Sequence, residues 1–431
     1  MLDNGTVLER VEKLTRALLV DPAFELDGEE TRRFLRFTNG VFDLTAMEMR
    51  EACPELRITN CTNWAYTGSG VPREAEQQLE FALQRVAEEE QSGETLSQDT
   101  EAALEALGSF FPDVSFVHSI CGSWDRALYC LKHLARAVFA LKYQEVLFAR
   151  GPGGNGKSTL VTRAAALLGS YFTDLDSKAL TENRVMDGAS PTFLSLKAKR
   201  FVCISEVEKN ATIKGNVYRT ICDYKSKIKA RPLFGEDQQF YPHFLLFACT
   251  NVPLDVDDKG KGTQRRTRIL DMPYNFVESP KAANDRPANP DLESNFPAWN
   301  PSLFHLLCRV RHVLMGSADH VLPIPAEVSE AVGEELREPW MDALDAFKQT
   351  LEKVSQTHAA STAAEVREAF LNFQRNKGPP LEKRDVALKM AAQGFQEESK
   401  SFYDAMTHKR TTKRVYSLVF PGGGNGLVKL R

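Results

Sequence analysis

Apolar and polar positions along this chain recur with two periods. From residue 1 to about 36, Leu8, Val11, Leu14, Leu18 and Leu19 lie near helical spacing, which predicts helix. Phe37-Thr38-Asn39-Gly40-Val41-Phe42-Asp43 then sets Asn-Gly between apolar residues. Both residues tolerate positive φ, so a hairpin turn in a small N-terminal module is predicted. Residues 73–107 are dominated by Glu, Gln, Ala and Leu, with a Ser/Gly break at 92–97, and predict two helices or a flexible join. Their acidity reads as a solvated face rather than a partner site. Another helical segment runs from Val117 to Leu141.

The pattern then changes to short apolar runs. Val146-Leu147-Phe148-Ala149, Arg200-Phe201-Val202-Cys203-Ile204 and Phe244-Leu245-Leu246-Phe247-Ala248-Cys249 read as buried strands, and Ile269-Leu270 begins another. Residues 278–300 are rich in Pro, Asn and Asp and predict a loop or linker. Helical segments follow at 302–315 and 325–355. Residues 338–420 read as three helices and a final hairpin, whose strands surround a basic run from His408 to Arg414. That combination predicts a winged-helix-like module. The tail PGGGNGLVKLR is glycine-rich and predicts a frayed end; it lacks the GK[ST] ending of a phosphate loop.

At 431 residues the chain is too long for one ordinary domain. Its 42% hydrophobic and 26% charged residues are those of a soluble globular protein. No run of 18 apolar residues occurs, so no membrane partner is expected. Eight scattered cysteines without a CxxC pair argue against a zinc ribbon and for a reducing, intracellular location. The net charge of −4 provides no global attraction to nucleic acid, so any such binding must use local basic patches.

The strongest chemical signal is Gly151-Pro152-Gly153-Gly154-Asn155-Gly156-Lys157-Ser158-Thr159, set between a strand and an Ala/Leu-rich helix. Glycines let backbone N–H groups turn onto phosphate oxygens, and the following helix aims its positive end at the same anion. Lys157 is expected to reach the β- and γ-phosphates of ATP, and Ser158 to hold Mg²⁺. The run at 201–204 leads into Ser205-Glu206-Val207-Glu208. A carboxylate at the end of a buried strand orients Mg²⁺ or polarises the attacking water. Glu206 is the first candidate, for both catalysis and metal, and Glu208 the second.

Lys225, Lys227, Lys229 and Arg231 fall at every second position. On one strand they would form a row of four cations, suited to the phosphates of DNA or RNA. The competing reading is a solvated edge strand. Asn251 follows the next strand, where an amide can hold the γ-phosphate or the lytic water. Arg265 and Arg266 precede Ile269-Leu270 and suit an arginine finger, which acts on a neighbouring subunit's nucleotide; Arg266 is preferred. In the final hairpin, Lys409, Arg410, Lys413 and Arg414 are candidate DNA contacts.

Together the motifs FTNGVFDL (37–44), GPGGNGKST (151–159), ISEVE (204–208), KIKARPLF (227–234), ACTN (248–251) and RRTRILDMPY (265–274) are similar to the helicase portion of the phage, plasmid and large-DNA-virus primase–helicase family, in helicase superfamily three. The similarity runs from about residue 30 to the C-terminal module and includes LPIPAEV at 322–328. The resemblance implies an AAA+-like α/β core that works as a ring, usually a hexamer. It implies ATP hydrolysis and 3′→5′ movement on single-stranded DNA at replication forks. It also implies that Glu206 is the acid of the second motif and Asn251 the sensor. Lys227 and Lys229 would grip DNA in a central channel, and Arg265 or Arg266 would be the finger. Where many relatives carry Gly-Gly-Asp before the basic strand, this chain reads Asp223-Tyr224-Lys225-Ser226. No primase region precedes the motifs here, so a stand-alone helicase, a separately encoded subunit or a fragment is expected, with a primase or polymerase as a possible separate partner.

The expected architecture is therefore an α/β, AAA+-like P-loop ATPase. It has a helical N-terminal module (1–115), a core (116–278), a linker with a helical segment (279–337) and a winged-helix-like domain (338–431). The expected compartment is the cytoplasm of a bacterial host or a viral replication compartment. Two rivals remain. A switch or assembly ATPase would not need the cationic row. An origin-binding initiator would bind duplex DNA through the C-terminal module without ATP turnover.

Overall fold

The computed structural model describes residues 25–182, 191–204, 206–207, 211–231, 237–316, 322–337, 339–354, 356, 359–374, 383–404, 408–419 and 425–430. The chain divides into two compact units, between Leu336 and Arg337.

The first unit opens with a three-stranded antiparallel sheet, β1 (Phe34–Phe37), β2 (Gly40–Asp43) and β3 (Glu48–Arg50). The Asn-Gly hairpin is present with a one-residue difference. Phe37 pairs with Gly40, so Thr38 and Asn39 make the turn and Gly40 already belongs to β2. Asn39 instead ties the turn to Tyr66, donating to its carbonyl at 2.8 Å and accepting from its N–H at 3.0 Å. A Cβ at Gly40 would lie 2.7 Å from the carbonyl of Arg50 on the neighbouring strand, which explains the glycine. The helix expected up to residue 36 is replaced, within the described part, by a 3-10 turn (Glu29–Arg33) and β1; residues 1–24 lie outside it.

Helices α1 (Arg73–Ser92) and α2 (Gln98–Leu107) follow. Gly93 ends α1 in the left-handed region, and Ser97 caps α2 by accepting from the Thr100 N–H. Next come α3 (Pro112–Cys121) and α4 (Trp124–Val138).

The core is a five-stranded parallel sheet built from β4 (Val146–Arg150), β5 (Phe172–Leu175), β6 (Phe201–Ile204), β9 (Leu245–Thr250) and β10 (Thr267–Asp271). Its order is β10-β4-β9-β6-β5. One face carries Leu147, Ala149, Phe201, Phe247 and Leu270 into a core shared with α4, with α5 (Lys157–Leu168) and with α7 (Phe296–Leu314). The other carries Val146, Phe148, Val202, Ile204, Leu246 and Ile269 against α6 (Gly215–Ile221) and α8 (Ala326–Glu335). Burial on both faces is why these strands read as unbroken apolar runs; all six residues of β9 are buried. This is a P-loop ATPase-like α/β core.

A two-stranded antiparallel hairpin, β7 (Ile228–Ala230) and β8 (Gln238–Phe240), precedes β9. After β10, β11 (Asn275–Val277) pairs in parallel with β12 (Asp285–Pro287). The stretch expected to be a linker, 278–300, therefore contains a strand, a 3-10 turn (Glu293–Asn295) and the start of α7.

The second unit runs α9 (Pro339–Lys348), β13 (Leu351–Val354), α10 (Ala363–Gln374), α11 (Lys383–Ala392), β14 (Gln396–Asp404), β15 (Lys409–Val419) and β16 (Asn425–Leu430). Its antiparallel sheet has the order β13-β16-β15-β14, beside three helices, which is a winged-helix-like arrangement. Thr362 and Glu365 form a capping box at the start of α10. Two expectations fail here. Residues 351–354 form a strand rather than the end of a helix, and the tail expected to fray supplies β16, which pairs with both β13 and β15. No helix among the described residues is long and apolar enough to cross a membrane.

Candidate active site

In an open parallel sheet, ligands bind beyond the carboxyl ends of the strands, where the connections part to either side. Here the chain leaves β4 for the far edge and returns to the other side of β4 with β10. The glycine loop lies at that point, between β4 and α5. Gly156 is left-handed (φ 84°, ψ 1°) directly before Lys157, the first residue of α5. A Cβ there would also lie 2.7 Å from Ile120 Cγ2, and one at Gly151 would lie 2.6 Å from the Met272 carbonyl. The loop is thus a cradle that side chains would fill, at the positive end of a twelve-residue helix.

Lys157 is 5% exposed. Its Nζ donates to the carbonyls of Gly151 (2.8 Å) and Pro152 (3.2 Å) and to Asn155 Oδ1 (2.7 Å). Burial pushes its ammonium below the usual lysine range, with Glu206 opposing. Asn155 is buried and donates to the Met272 carbonyl at 3.2 Å, which ties the loop to the end of β10. Ser158 is exposed in the first turn of α5.

Because β9 lies between β4 and β6, Asn251 stands between the loop and the acidic strand end. Asn251 Nδ2 donates to Glu206 Oε1 at 2.5 Å. Glu206 is exposed and has a positive φ of 37°, a costly conformation for a residue other than glycine. Lys157, Glu206 and Asn251 line one cleft of about 920 Å³ together with Gly153, Gly154 and Ser158. Glu208 lies outside the described residues.

The same cleft is lined by residues to which the sequence assigned no role: Phe116, His118 and Ile120 of α3, and Tyr274, Phe276 and Arg286 around the β11–β12 ribbon. Tyr274 and Phe276 are two apart, the spacing of one strand face, which is the signal that could have found them. The Phe276 N–H donates to the Gly154 carbonyl at 2.8 Å, so the ribbon is bonded to the phosphate loop. His118 stacks on Trp124 with centroids 3.9 Å apart, and burial lowers its pKa. Arg163 of α5 anchors the assembly from behind. It donates to buried Asp113 of α3 at 2.6 and 3.1 Å and to Asn300 of α7 at 2.6 Å.

The two candidate finger arginines differ. Arg266 is 8% exposed and donates to the Gly262 carbonyl at 2.9 Å, whereas Arg265 is exposed. Of the two, Arg266, the preferred candidate, is held inward, and Arg265 is the one whose side chain faces outward. Both precede β10, whose Thr267 pairs with Val146 at the start of β4. They stand at the opposite ends of the strands from the glycine loop, roughly 15–20 Å away at the rise of a β-strand.

The cationic row is shorter than expected. Lys225 sits in a turn in which Asp223 accepts from the Lys225 N–H and from the Ser226 hydroxyl, so it is not on the strand. Lys227, Lys229 and Arg231 are exposed, while Ile228 and Ala230 between them are buried. Lys227 Nζ lies 5.3 Å from the centre of the Tyr241 ring, and Arg231 is 3.9 Å from Asp237. Residues 232–236, at the hairpin tip, lie outside the described residues. In the second unit, Lys409, Arg410, Lys413 and Arg414 all fall on β15. Alternation sets Arg410 and Arg414 on one face and Lys409 and Lys413 on the other.

Residues 2–100 match the protein family described as "D5 N terminal like". A protein of Acanthamoeba polyphaga mimivirus, L207/L206, provisionally named a helicase, is 25% identical over 320 residues, or 72% of this chain. This chain spans 30% of the length of that relative. Among solved structures, the C-terminal region of NrS-1 is similar at 11% identity with a TM-score of 0.44, covering 70% of this chain and 73% of that one. JCV helicase is similar at 15% identity with a TM-score of 0.29, covering 63% and 67%. Structural likenesses that weak bear no weight here. The matched N-terminal region and the mimivirus relative agree with the resemblance read from the motifs.

Proposed function

We propose that this chain is an ATP-driven DNA translocase, the motor of a viral or mobile-element replication helicase, whose active sites are completed between subunits of a ring. One observation carries the reading. Lys157, Glu206 and Asn251 converge at the carboxyl ends of the sheet, while exposed Arg265 stands at the other ends, out of reach of its own cleft. A finger so placed serves a neighbour's nucleotide. Side-by-side packing of subunits with one repeated contact generates a closed ring, for which a hexamer is the expected size.

The residues present fit Mg²⁺-ATP. The glycine cradle and Lys157 would hold the β- and γ-phosphates, and Ser158 and Glu206 would hold the metal. Bound Mg²⁺ supplies positive charge that offsets charge developing on the phosphates. The Glu206 carboxylate orients the attacking water, and Asn251, bonded to it, keeps that carboxylate in place. Glu208 is the alternative base. Lys227 and Lys229, at the base of the β7–β8 hairpin, bind the single strand, with Arg231 and Lys225 at its margins. The four cations of β15 offer a second DNA contact in the C-terminal module. The reading keeps residues 1–115 as an N-terminal module, 338–431 as the winged-helix-like domain, a separate primase or polymerase as partner, and an intracellular setting.

The test is ATP turnover by the purified chain over a protein concentration series, with and without single-stranded DNA, beside Lys157→Ala. The expected result is turnover that requires Lys157, rises more steeply than in proportion to concentration, and increases with DNA. Turnover per subunit that is constant across concentration and indifferent to DNA would favour a switch ATPase instead.

A further inference from the structure

Arg286 is a cation in the nucleotide cleft that no motif announces. It sits on β12 opposite Phe276, whose N–H is bonded to Gly154, so its backbone is held at one remove from the phosphate loop. Its guanidinium lies 3.8 Å from the centre of the Tyr274 ring, stacked on that face. Tyr274 lies beside the end of α3, where a Cβ at Gly122 would come within 3.2 Å of its Cε2.

The hydrogen bonds of Arg286 leave most of its donors unused. NH1 donates to the carbonyls of Ala283 (3.0 Å) and Asp285 (2.8 Å). The adjacent carboxylate of Asp285 is occupied elsewhere, accepting from the N–H groups of Lys281 and Ala282 at 2.9 and 2.8 Å. Among the described residues no carboxylate pairs with Arg286. Several part-buried arginines of this unit do have one: Arg126 has Glu327, Arg150 has Asp271 and Glu335, and Arg219 has Asp258. A part-buried guanidinium fixed by stacking, without a counter-ion and open to a cleft, is arranged for an anion that arrives there.

We infer that Arg286 binds the phosphate chain of the nucleotide in its own subunit, as a second cation beside Lys157. This rests on the reading of the cleft as a nucleotide site. The stacked guanidinium offers planar, paired N–H groups to phosphate oxygens from the ribbon side, while Lys157 approaches from the helix side. Tyr274 is the positioning residue: its ring fixes the guanidinium plane and touches no phosphate.

The experiment is equilibrium binding of fluorescently labelled ATP, ADP and adenosine, at fixed low salt, to the full chain and its variants. Arg286→Ala is expected to weaken ATP and ADP about tenfold or more, as for loss of charge-assisted hydrogen bonds, and to leave adenosine unchanged. Arg286→Lys keeps the charge but not the fork and is expected to recover only part of the loss. Tyr274→Ala is expected to weaken binding less than Arg286→Ala, and Tyr274→Phe to bind like the unmodified chain. If Arg286→Ala lowers the unfolding midpoint, Arg286→Gln carries the same expectation. ATP affinity within twofold of the unmodified chain in the arginine variants, while Lys157→Ala loses binding, would overturn the inference and leave the site reading intact. An equal loss for adenosine would also overturn it. Failure of the unmodified chain and Lys157→Ala alike to bind any nucleotide would overturn the site reading itself.

Discussion

At the scale of single residues, the site depends on a few buried charges whose partners are distant in sequence. Arg163 and Asp113 are each about 1% exposed and paired through two hydrogen bonds, and Asn300 completes the set. The pair joins α5, which carries Lys157, to α3, which walls the cleft. Removing one member of a buried pair strands the other charge, at about 3–5 kcal/mol. Asp113→Ala is therefore expected to lower stability by roughly that amount in denaturant unfolding, and Asp113→Asn by less, because the amide oxygen still accepts. A loss below about 1 kcal/mol for Asp113→Ala would show that water reaches Arg163. Side-chain partners likewise separate the arginines of the 265–268 cluster, which the sequence alone leaves equivalent. Arg265-Arg266-Thr267-Arg268 reads as one basic cluster, but Glu145 draws Arg268 inward at 2.6 Å and the Gly262 carbonyl holds Arg266. Neither partner is marked by spacing.

At the scale of elements, the strand–loop–helix around Lys157 was legible because three local signals agree: an apolar run, glycines at left-handed positions and a helix-prone continuation. Other elements were not. β12 is three residues long, ends in Pro287, and lies in a stretch whose Asn, Asp and Pro content signals loop. β16 follows a glycine run that signals a frayed end, and its partner β13 lies inside a stretch that reads as helix. The cationic hairpin shows a partial reading. Alternation placed Lys227, Lys229 and Arg231 outward, but Asp223 caps a turn that removes Lys225 from the strand.

Helix α4 carries a further consequence. His133 is fully buried, and burial, then Arg136, Arg268 and Lys132, hold its pKa well below the usual value. The unfolded chain takes up a proton near pH 6.5 that the folded chain refuses. Its contribution to stability is thus complete above about pH 6.5 and declines by up to about 1.4 kcal/mol per pH unit as pH falls from there toward the folded value. Thermal unfolding at pH 7.5 and 5.5 is expected to show a smaller drop for His133→Asn than for the unmodified chain. Equal drops would mean that other groups account for the acid sensitivity.

At the scale of the whole molecule, the separation of Arg265 from the cleft is the feature with the largest consequence. On the proposed reading, a P-loop, an acid and an amide at one end of the sheet and an exposed arginine at the other make each subunit half of two active sites. The most direct measurement mixes two variants, Lys157→Ala and Arg265→Ala, each expected to be inactive alone, at a concentration that supports assembly, and follows ATP hydrolysis against the mixing ratio. The account predicts that activity reappears on mixing and is greatest near equal proportions, because only mixed interfaces pair an intact loop with an intact finger. Mixtures that stay inactive at every ratio, or an Arg265→Ala variant that hydrolyses ATP normally on its own, would contradict it.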